Sequence, residues 1–393
     1  MKIKLIKSTF HNEDQTKHDL SEFILKSSKL SMGDECNLYE KEFSNFQGRK
    51  YTTMYNSGSS ANLALLQALL NLNKINKGDL CAFSAVTWST NVMPIIQLGL
   101  NPIPVDIKLD TLNVGSDEFK KTLSLYPNIK CFFISNILGF CSDIDVIKSI
   151  CDERGIILIE DNCESLGTEY KENKLGNFGL ASTCSSYVGH HLSTIEGGTV
   201  STENEELNNM LKLVRAHGWN RNMDANLKEK MRKDQSISHF YDMYTFYDLA
   251  YNLRPSEING FIGRKQLKYI DNNINQRQKN FLSLNEVVKD NSQFIEINNN
   301  LITKLSNFAF PVVFKDKKDL SDTINMFKKA EVEIRPVVAG NITNQPFYKK
   351  YAKHKKMELT SADHVHAHGF YLPNHPELES DEIHFLKDLI IKI

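Results

Sequence analysis

The chain has 393 residues and a formal net charge of −1, and 41% of its residues are hydrophobic and 24% charged. This composition is typical of a globular protein with a large core in one or two domains, and the near-neutral charge gives no attraction to nucleic acid or to an anionic membrane. No apolar run approaches the ~18 residues that span a bilayer, and the first residues lack the apolar core of a signal peptide. We therefore expect a cytoplasmic protein.

Seven cysteines are spread along the chain, without a Cys-x-x-Cys or Cys-x-Cys pair. This spacing argues against a disulfide framework and a structural zinc site, and several cysteines lie in apolar runs typical of small buried side chains. The alternating His364, His366 and His368 have no cysteine nearby, and we interpret them as solvated or as a subunit contact. No metal site is expected.

Strand-like runs alternate with helical patterns in the first half of the chain. In chain order, the prediction is a strand at 51–55, a helix at 60–72, a strand at 80–84, a helix at 90–98, strands at 103–105 and 131–134, a helix at 143–154 and a strand at 156–159. This order predicts an α/β fold with a largely parallel sheet and helices on both faces. Ligands of such sheets bind at the carboxyl ends of the strands.

Beyond about residue 254 the pattern changes. The predicted elements are a long helix at 257–272, a strand at 308–314, a helix at 320–329, a strand-like run at 332–338 and a final helix at 380–391. We therefore expect a large domain over 1–255, with an N-terminal arm, and a smaller α+β domain over 256–393.

A phosphate site is the functional interpretation of residues 56–62, Asn-Ser-Gly-Ser-Ser-Ala-Asn, which follow a strand and open a helix. The amide groups and dipole of a helix start suit a phosphate, and Gly58 permits close approach of the backbone. Ser59 and Ser60 add hydroxyl donors. The alternative is an ordinary serine N-cap.

Two further segments also follow predicted strands. Trp88 lies after the second strand and is either a stacking platform for a flat ring or a core tryptophan. The buried run 156–159 ends in Glu160 and Asp161, and a carboxylate there must face a partner or solvent. The alternative for Asp161 is a helix N-cap.

A pair of histidines stands in the stretch 185–198, Ser-Ser-Tyr-Val-Gly-His-His-Leu-Ser-Thr-Ile-Glu-Gly-Gly. A histidine can carry protons near neutral pH, although a buried structural histidine is the alternative for His190. Farther along, Arg254 in Tyr-Asn-Leu-Arg either binds a phosphate or carboxylate in bidentate fashion or forms a surface ion pair.

Taken together and in this order, these segments resemble the pyridoxal phosphate (PLP)-dependent sugar aminotransferases of the DegT/DnrJ/EryC1/StrS family. There the histidine stretch runs roughly Ser-Phe-x-x-x-Lys-x-Leu-Thr-x-x-Glu-Gly-Gly, and the lysine holds the cofactor covalently. Alignment on Glu196-Gly197-Gly198 places His190, rather than His191, at the lysine position. The runs Asp-Asn-Cys-Glu-Ser at 161–165 and Arg-Ala-His-Gly-Trp at 215–219 are more similar to a 3-dehydratase branch of the family.

The resemblance implies an aspartate-aminotransferase-like PLP fold of type I, with a mostly parallel seven-stranded sheet. It implies that Trp88 stacks on the pyridine ring, that Asp161 bonds its nitrogen, and that Asn252 reaches the phosphate of the neighbouring subunit in a homodimer. The implied cofactor-binding residues are Gly58, Ser59, Ser60, Trp88, Asp161, Glu164, Ser185 and the partner's Asn252. Catalysis is assigned to His190, and substrate contacts to Ser31, His217, Arg254 and Arg335.

The implied reaction removes the carbon-3 hydroxyl of a nucleotide-linked 4-keto-6-deoxy sugar, a GDP-linked hexose or heptose, to give a 4-keto-3,6-dideoxy sugar for a surface polysaccharide. L-Glutamate is the implied amino donor, so that the cofactor alternates between PLP and pyridoxamine phosphate. His190 could move protons but could not recapture an amino-sugar product covalently.

Three alternatives accompany this interpretation. A second dehydratase branch also has histidine for lysine, but it binds a [2Fe–2S] cluster through a Cys-x-Cys pair and needs a reductase; because this chain lacks the pair, neither is expected. A nucleotide-sugar 4-aminotransferase that tolerates histidine stays open, as does a non-catalytic relative that binds a nucleotide sugar.

Overall fold

The computed structural model describes residues 2–289, 291–316, 319–352 and 357–393. The strands are β1 (Tyr51–Tyr55), β2 (Leu80–Ser84), β3 (Asn101–Val105), β4 (Ile129–Ser135), β5 (Ile157–Asp161), β6 (Glu169–Tyr170), β7 (Asn173–Lys174), β8 (Ala181–Ser185), β9 (Gly198–Thr202), β10 (Ile302–Lys304), β11 (Phe310–Val313), β12 (Arg335–Pro336) and β13 (Gly369–Leu372).

The α-helices are α1 (Glu13–Lys26), α2 (Asp34–Gln47), α3 (Gly58–Asn71), α4 (Met93–Gln97), α5 (Ser116–Leu125), α6 (Ile144–Arg154), α7 (Glu205–Arg215), α8 (Ala225–Asp234), α9 (His239–Asp242), α10 (Glu257–Leu267), α11 (Ile270–Lys289), α12 (Ser321–Lys329), α13 (Pro346–Tyr351), α14 (Thr360–His368) and α15 (Ser380–Ile391). Short 3₁₀ helices cover Ser89–Asn91, Ile137–Gly139, Asn220–Asn222 and Ile342–Asn344. No helix in the described part of the chain is long and apolar enough to cross a membrane.

A seven-stranded sheet in the order β1-β9-β8-β5-β4-β2-β3 forms the centre of the molecule. All neighbouring strands are parallel except β9, which pairs antiparallel with both β1 and β8. The predicted mostly parallel seven-stranded sheet is therefore confirmed. The carboxyl ends of β1, β2, β4, β5 and β8 all lie at one edge, where a ligand is expected.

Helices cover both faces of this sheet, as predicted. Because side chains of a strand alternate between faces, Phe132 and Leu158 enter one hydrophobic core while their neighbours Phe133 and Ile159 enter another. The first core also contains residues of α6, and the second contains residues of α3. Strands buried on both faces are typical of such layered α/β folds.

The C-terminal part contains a three-stranded antiparallel sheet in the order β11-β13-β12, with α12, α14 and α15. The strand-like run at 332–338 contributes only β12, since Pro336 has no N–H to donate to the ladder and Val338 has a φ of 50°. Phe281 and Phe310 from this part share a core with Phe132 of the large sheet. The domain boundary between residues 255 and 256 stays a prediction.

Two helix predictions differ from the structure at their boundaries. The helix predicted at 90–98 is divided into a 3₁₀ turn and α4, because Pro94 lies at the start of the second helix, a position that does not need its missing N–H. The helix predicted at 257–272 is α10 followed by a separate α11 that begins at Ile270.

Candidate active site

A cavity of about 540 Å³ lies at the carboxyl edge of the large sheet. One wall consists of the segments that follow β1, β2, β4, β5 and β8, and the other consists of the N-terminal segment, residues 308–309, the region of β12 and Tyr371. The cavity is lined by these residues of the sequence prediction: Gly58, Ser59, Trp88, Asp161, Glu164, Ser185, His190 and Arg335. Eight of the thirteen residues that the sequence predicts for the site therefore line this cavity.

The start of α3 forms one end of this cavity. Ser57 is the N-cap and accepts a hydrogen bond from the Ser60 N–H at 3.1 Å, while the first N–H groups of a helix have no partner within it. A Cβ on Gly58 would lie 2.6 Å from the Ser185 Cβ, so only glycine fits this approach. The Ser57 hydroxyl donates to the Ser60 Oγ at 3.0 Å, and Ser57 lines the cavity whereas Ser60 does not.

Asp161, the last residue of β5, is fixed by three N–H donors. The amides of Asn62 and Asn91 donate to its Oδ2 at 3.0 and 2.7 Å, and the Cys163 backbone N–H donates to Oδ1 at 2.9 Å. The carboxylate is buried but lines the cavity. These donors hold the carboxylate in one orientation. A carboxylate fixed in this way can accept a strong hydrogen bond from a cationic N–H group of a ligand.

Glu164 lies beside Asp161 in the same wall. Its Oε2 accepts the Leu138 N–H at 2.8 Å, and Leu138 has a left-handed φ of 55°. Burial raises the pKa of Glu164 to about 7, the Leu138 N–H opposes the shift, and the nearby Asp161 charge adds to it. At neutral pH this carboxyl group is therefore partly protonated and can donate as well as accept a hydrogen bond.

His190 lines the cavity and His191 does not. The His190 ring packs edge-on against Phe308 and Tyr187, with ring centroids 5.3 and 6.2 Å away. The His191 ring is 4% exposed, and its Nε2 bonds the Ser306 carbonyl at 3.0 Å. The structure therefore assigns the cavity to the first histidine of the pair.

Burial sets the proton affinity of both histidines. Desolvation lowers the pKa of His190 to about 4, with the Asp161 carboxylate opposing the shift and the Arg277 guanidinium adding to it. Desolvation also lowers the pKa of His191 well below its ordinary value. His190 is therefore neutral over the physiological range and able to accept a proton.

Trp88 lies at the cavity rim with 57% of its surface exposed, so that one face is open to a flat ligand. Opposite it, Arg335 forms an ion pair with Glu333, and Glu333 accepts the Leu5 N–H at 3.1 Å. Arg335 is the one lining residue of this wall that the sequence prediction included; Leu5 and Glu333 were missed.

Four predicted residues lie away from the cavity. Ser31 is exposed and forms a bridge with Ser256, and His217 donates its backbone N–H to the Tyr251 carbonyl at 2.7 Å. The exposed Asn252 accepts a hydrogen bond from the Arg254 side chain at 2.9 Å. None of these four lines the cavity within one chain.

The residues present fit pyridoxal phosphate. A helix start whose glycine leaves no room for a Cβ suits the phosphate, the fixed carboxylate of Asp161 suits a protonated pyridine nitrogen, and Trp88 offers a ring face. No lysine is among the described residues that line the cavity, so no side chain there can bind the aldehyde covalently as the family's lysine does.

The seven cysteines are free thiols, six of them buried and Cys163 partly exposed at the cavity. Within residues 2–289, 291–316, 319–352 and 357–393, no group of three or more His, Cys, Asp or Glu side chains is arranged to hold a metal ion.

This chain is similar over nearly its whole length to proteins of known activity. The GDP-4-keto-6-deoxy-D-mannose 3-dehydratase of Yersinia pseudotuberculosis is 34% identical over 374 residues, which cover 94% of each protein. The crystal structure of a GDP-4-keto-6-deoxymannose-3-dehydratase with a trapped PLP-glutamate geminal diamine matches with a TM-score of 0.90 at 32% identity, covering 99% of this chain and 100% of that one.

The same values hold for a histidine-to-asparagine variant of that dehydratase with bound GDP-perosamine: TM-score 0.90, 32% identity, and coverage of 99% and 100%. The family profile described as DegT/DnrJ/EryC1/StrS aminotransferase matches residues 11–389. The predicted type I fold is therefore confirmed, and this chain belongs to the DegT/DnrJ/EryC1/StrS aminotransferase family.

Proposed function

We propose that this protein is a PLP-dependent nucleotide-sugar 3-dehydratase, which removes the carbon-3 hydroxyl from a GDP-linked 4-keto-6-deoxy sugar with L-glutamate as amino donor. The product is a 4-keto-3,6-dideoxy sugar for a surface polysaccharide. Relatives named GDP-4-keto-6-deoxy-D-mannose 3-dehydratase, similar over nearly the whole chain, support this assignment. Solved structures of such an enzyme with a PLP-glutamate adduct and with GDP-perosamine support the cofactor, the donor and the nucleotide.

One observation carries the proposal: the cavity contains a neutral imidazole, His190, and no lysine among its described residues. Without a lysine amine, an amino-sugar product cannot be displaced by covalent recapture, whereas acid–base work is retained. This makes the aminotransferase alternative the weaker one. The ordered polar contacts around Asp161 also count against a relative that only binds nucleotide sugars.

Bound pyridoxal phosphate supplies an electron sink and, in its amine form, the nitrogen that condenses with the sugar ketone. Asp161 would hold a proton on the pyridine nitrogen, the start of α3 with Ser185 would hold the phosphate, and Trp88 would shield the ring from water. The imidazole of His190 would act as the base that accepts a proton and as the acid that gives one to the departing carbon-3 hydroxyl.

The overall reaction balances without a further reductant. Oxidation of L-glutamate to 2-oxoglutarate and ammonia releases two hydrogens and consumes one water, and replacement of the carbon-3 hydroxyl by hydrogen uses those two hydrogens and releases one water. Each sugar converted therefore yields one 2-oxoglutarate and one ammonia. No electron-transfer partner is needed for this stoichiometry.

We further propose a homodimer in which the partner's Asn252 completes the phosphate site. Asn252 is exposed in one chain and lies outside its cavity, as expected of a residue that serves another subunit. The test mixes two inactive variants, His190→Gln and Asn252→Ala. Recovery of activity in hybrid dimers is expected, and no recovery at equal subunit mixing would contradict a shared site.

The reaction is tested with purified enzyme, PLP, L-glutamate and GDP-4-keto-6-deoxymannose. We expect one 2-oxoglutarate and one ammonia per sugar, and a sugar product that has lost one oxygen by mass. A product carrying an amino group would instead identify an aminotransferase. Formation of 2-oxoglutarate without sugar conversion would support the reaction of the cofactor with L-glutamate but exclude this sugar as the substrate. Nucleotide-linked heptoses and sugars linked to other nucleotides would then be assayed.

A further inference from the structure

A buried arginine of α11, Arg277, lies behind the loop that carries His190. Its side chain is 4% exposed. Nη1 donates to the carbonyls of Asn307, Phe308 and Asn374 at 3.3, 2.9 and 2.8 Å, and Nη2 reaches the carbonyl of His190 at 3.4 Å. Among the described residues no carboxylate forms an ion pair with it, and its Nε has no hydrogen-bond partner.

This arrangement is unusual because buried guanidinium groups are normally paired with carboxylates. Burial lowers the pKa of Arg277 to about 10, with the Glu377 charge opposing the shift. The side chain thus keeps its charge at neutral pH, but its fixed donors serve only backbone carbonyl groups. These carbonyls belong to separate segments, so the guanidinium joins parts of the chain that are far apart in sequence.

Two of those segments form the wall around the proposed base. His190 and Phe308 both line the cavity, and their rings meet edge-on with centroids 5.3 Å apart. Because one guanidinium donates to the carbonyls of both residues, it sets the position of the imidazole relative to the ring that packs against it. A displacement of about 1 Å at a proton-transfer site can cost ~100-fold in rate.

The Arg277 charge also acts on His190 directly, since it opposes formation of a second buried cation. Asp161 has the opposite effect. The same cavity is also lined by Cys163, Glu164, Tyr187, Glu196, Glu333, Arg335 and Tyr371. The small cavity on the other side of His190 carries Lys7, His11, His191, His375 and Glu377.

We propose that Arg277 is a positioning residue that fixes His190 against Phe308 and keeps the imidazole neutral and ready to accept a proton. This inference rests on the proposed function only for the role given to His190. Arg277 does not line the substrate cavity, so it acts through the histidine rather than on the substrate.

The test compares Arg277→Met, which removes the charge and the hydrogen-bond donors, with Arg277→Lys. The lysine keeps the charge but lacks the planar set of guanidinium N–H donors. Lys279→Met, at an exposed position of the same helix, is the matched control. Acylation of His190 by diethyl pyrocarbonate is followed against pH in the holoenzyme by mass spectrometry. We expect the pH at which acylation is half-maximal to rise by ~1 unit in Arg277→Met. This pH should stay unchanged in Arg277→Lys and in the control.

Steady-state kinetics give the second readout. We expect kcat to fall by about 100-fold in Arg277→Met, with a smaller loss in Arg277→Lys, while KM for the nucleotide sugar changes by less than about threefold. An unchanged acylation profile in a folded Arg277→Met protein would overturn the electrostatic role. Full kcat in Arg277→Lys would overturn the positional role, and this outcome is readable even if the methionine variant does not fold.

Failure of the proposed function would look different. A wild-type enzyme that releases no deoxygenated sugar would refute the reaction, whereas the acylation profile of His190 would still report whether Arg277 controls its protonation.

Discussion

The two walls of the cavity are built in different ways. In the sheet wall, Gly58, Trp88, Glu164 and His190 each follow the end of a strand by three to five residues, and Asp161 ends a strand itself. The opposite wall combines the N-terminal segment with residues 308–309, the region of β12, and Tyr371. The sheet wall therefore depends on local strand-to-loop connections, and the opposite wall on packing of distant segments. We infer that the first performs the cofactor chemistry and the second selects the sugar.

The largest expected effect is at His190, and the same substitution at the adjacent His191, which does not line the cavity, provides the comparison. His190→Gln removes the proposed proton carrier, and kcat should fall by about 10³–10⁴-fold while PLP still binds. His191→Gln can keep the hydrogen bond to the Ser306 carbonyl and should retain most activity. Steady-state rates and the PLP absorbance spectrum check both. Equal losses in the two variants would show that the loop matters only as structure.

The next comparison uses two neighbouring carboxylates of β5 that point to opposite sides. Asp161→Asn should lower kcat by about 10²-fold, because a neutral amide stabilises a pyridine cation poorly. Glu160 accepts the backbone N–H groups of Gly176, Phe178 and Gly179 at 2.8, 2.9 and 2.7 Å, away from the cavity. Glu160→Gln should instead cost about 1–3 kcal/mol of stability.

Both variants are measured for kcat and for denaturant unfolding. A Glu160→Gln enzyme that stays folded but loses turnover as strongly as Asp161→Asn would contradict this comparison. It would show that the two side chains do not have separate structural and catalytic roles.

A pH-dependent stability difference is expected at Glu164. Burial raises its pKa from 4.5 to about 7, so the native state is favoured while the carboxyl is protonated, and this contribution is lost as the pH rises through 7. Glu164→Gln has no such loss. Without cofactor, the variant should match the wild type at pH 5 and exceed it by about 1–3 kcal/mol at pH 8. Urea unfolding at the two pH values checks this, and an equal difference at both would mean that Glu164 is not buried as a neutral acid.

The sequence predicts much of the sheet wall, because Gly58, Trp88 and Asp161 lie at or just after strands that the sequence pattern defines. Ser185 and His190 were predicted only through the resemblance of their segment to the family. Even there, Asn91 was missed, since nothing local indicates that its amide reaches Asp161 at 2.7 Å. Strands β8 and β9 were also missed, because Ala-Ser-Thr-Cys-Ser and Gly-Thr-Val-Ser-Thr lack an apolar run although both are buried. Their burial comes from tertiary packing, which single-sequence patterns do not encode.

The opposite wall could be predicted only at Arg335. Glu333, which pairs with it, and Leu5, whose N–H binds Glu333, come from segments more than 300 residues apart in the chain. Phe308 and Tyr371 are also brought to the cavity by packing of the C-terminal sheet. Neither periodicity nor a motif indicates such long-range assembly.

The smallest effect is expected in that second wall, at Arg335. Loss of its guanidinium in Arg335→Gln removes a candidate partner for the phosphates or hydroxyls of the nucleotide sugar, and KM should rise by about tenfold. The half-reaction of the PLP enzyme with L-glutamate should keep its rate, because the proposed cofactor-binding residues lie in the sheet wall. Arg154→Gln, the same change at an exposed residue of α6, is the control and should leave both steps unchanged. Stopped-flow absorbance separates the two steps. If the glutamate half-reaction slows as much as the sugar reaction, then Arg335 serves both substrates, and the two walls share the chemistry.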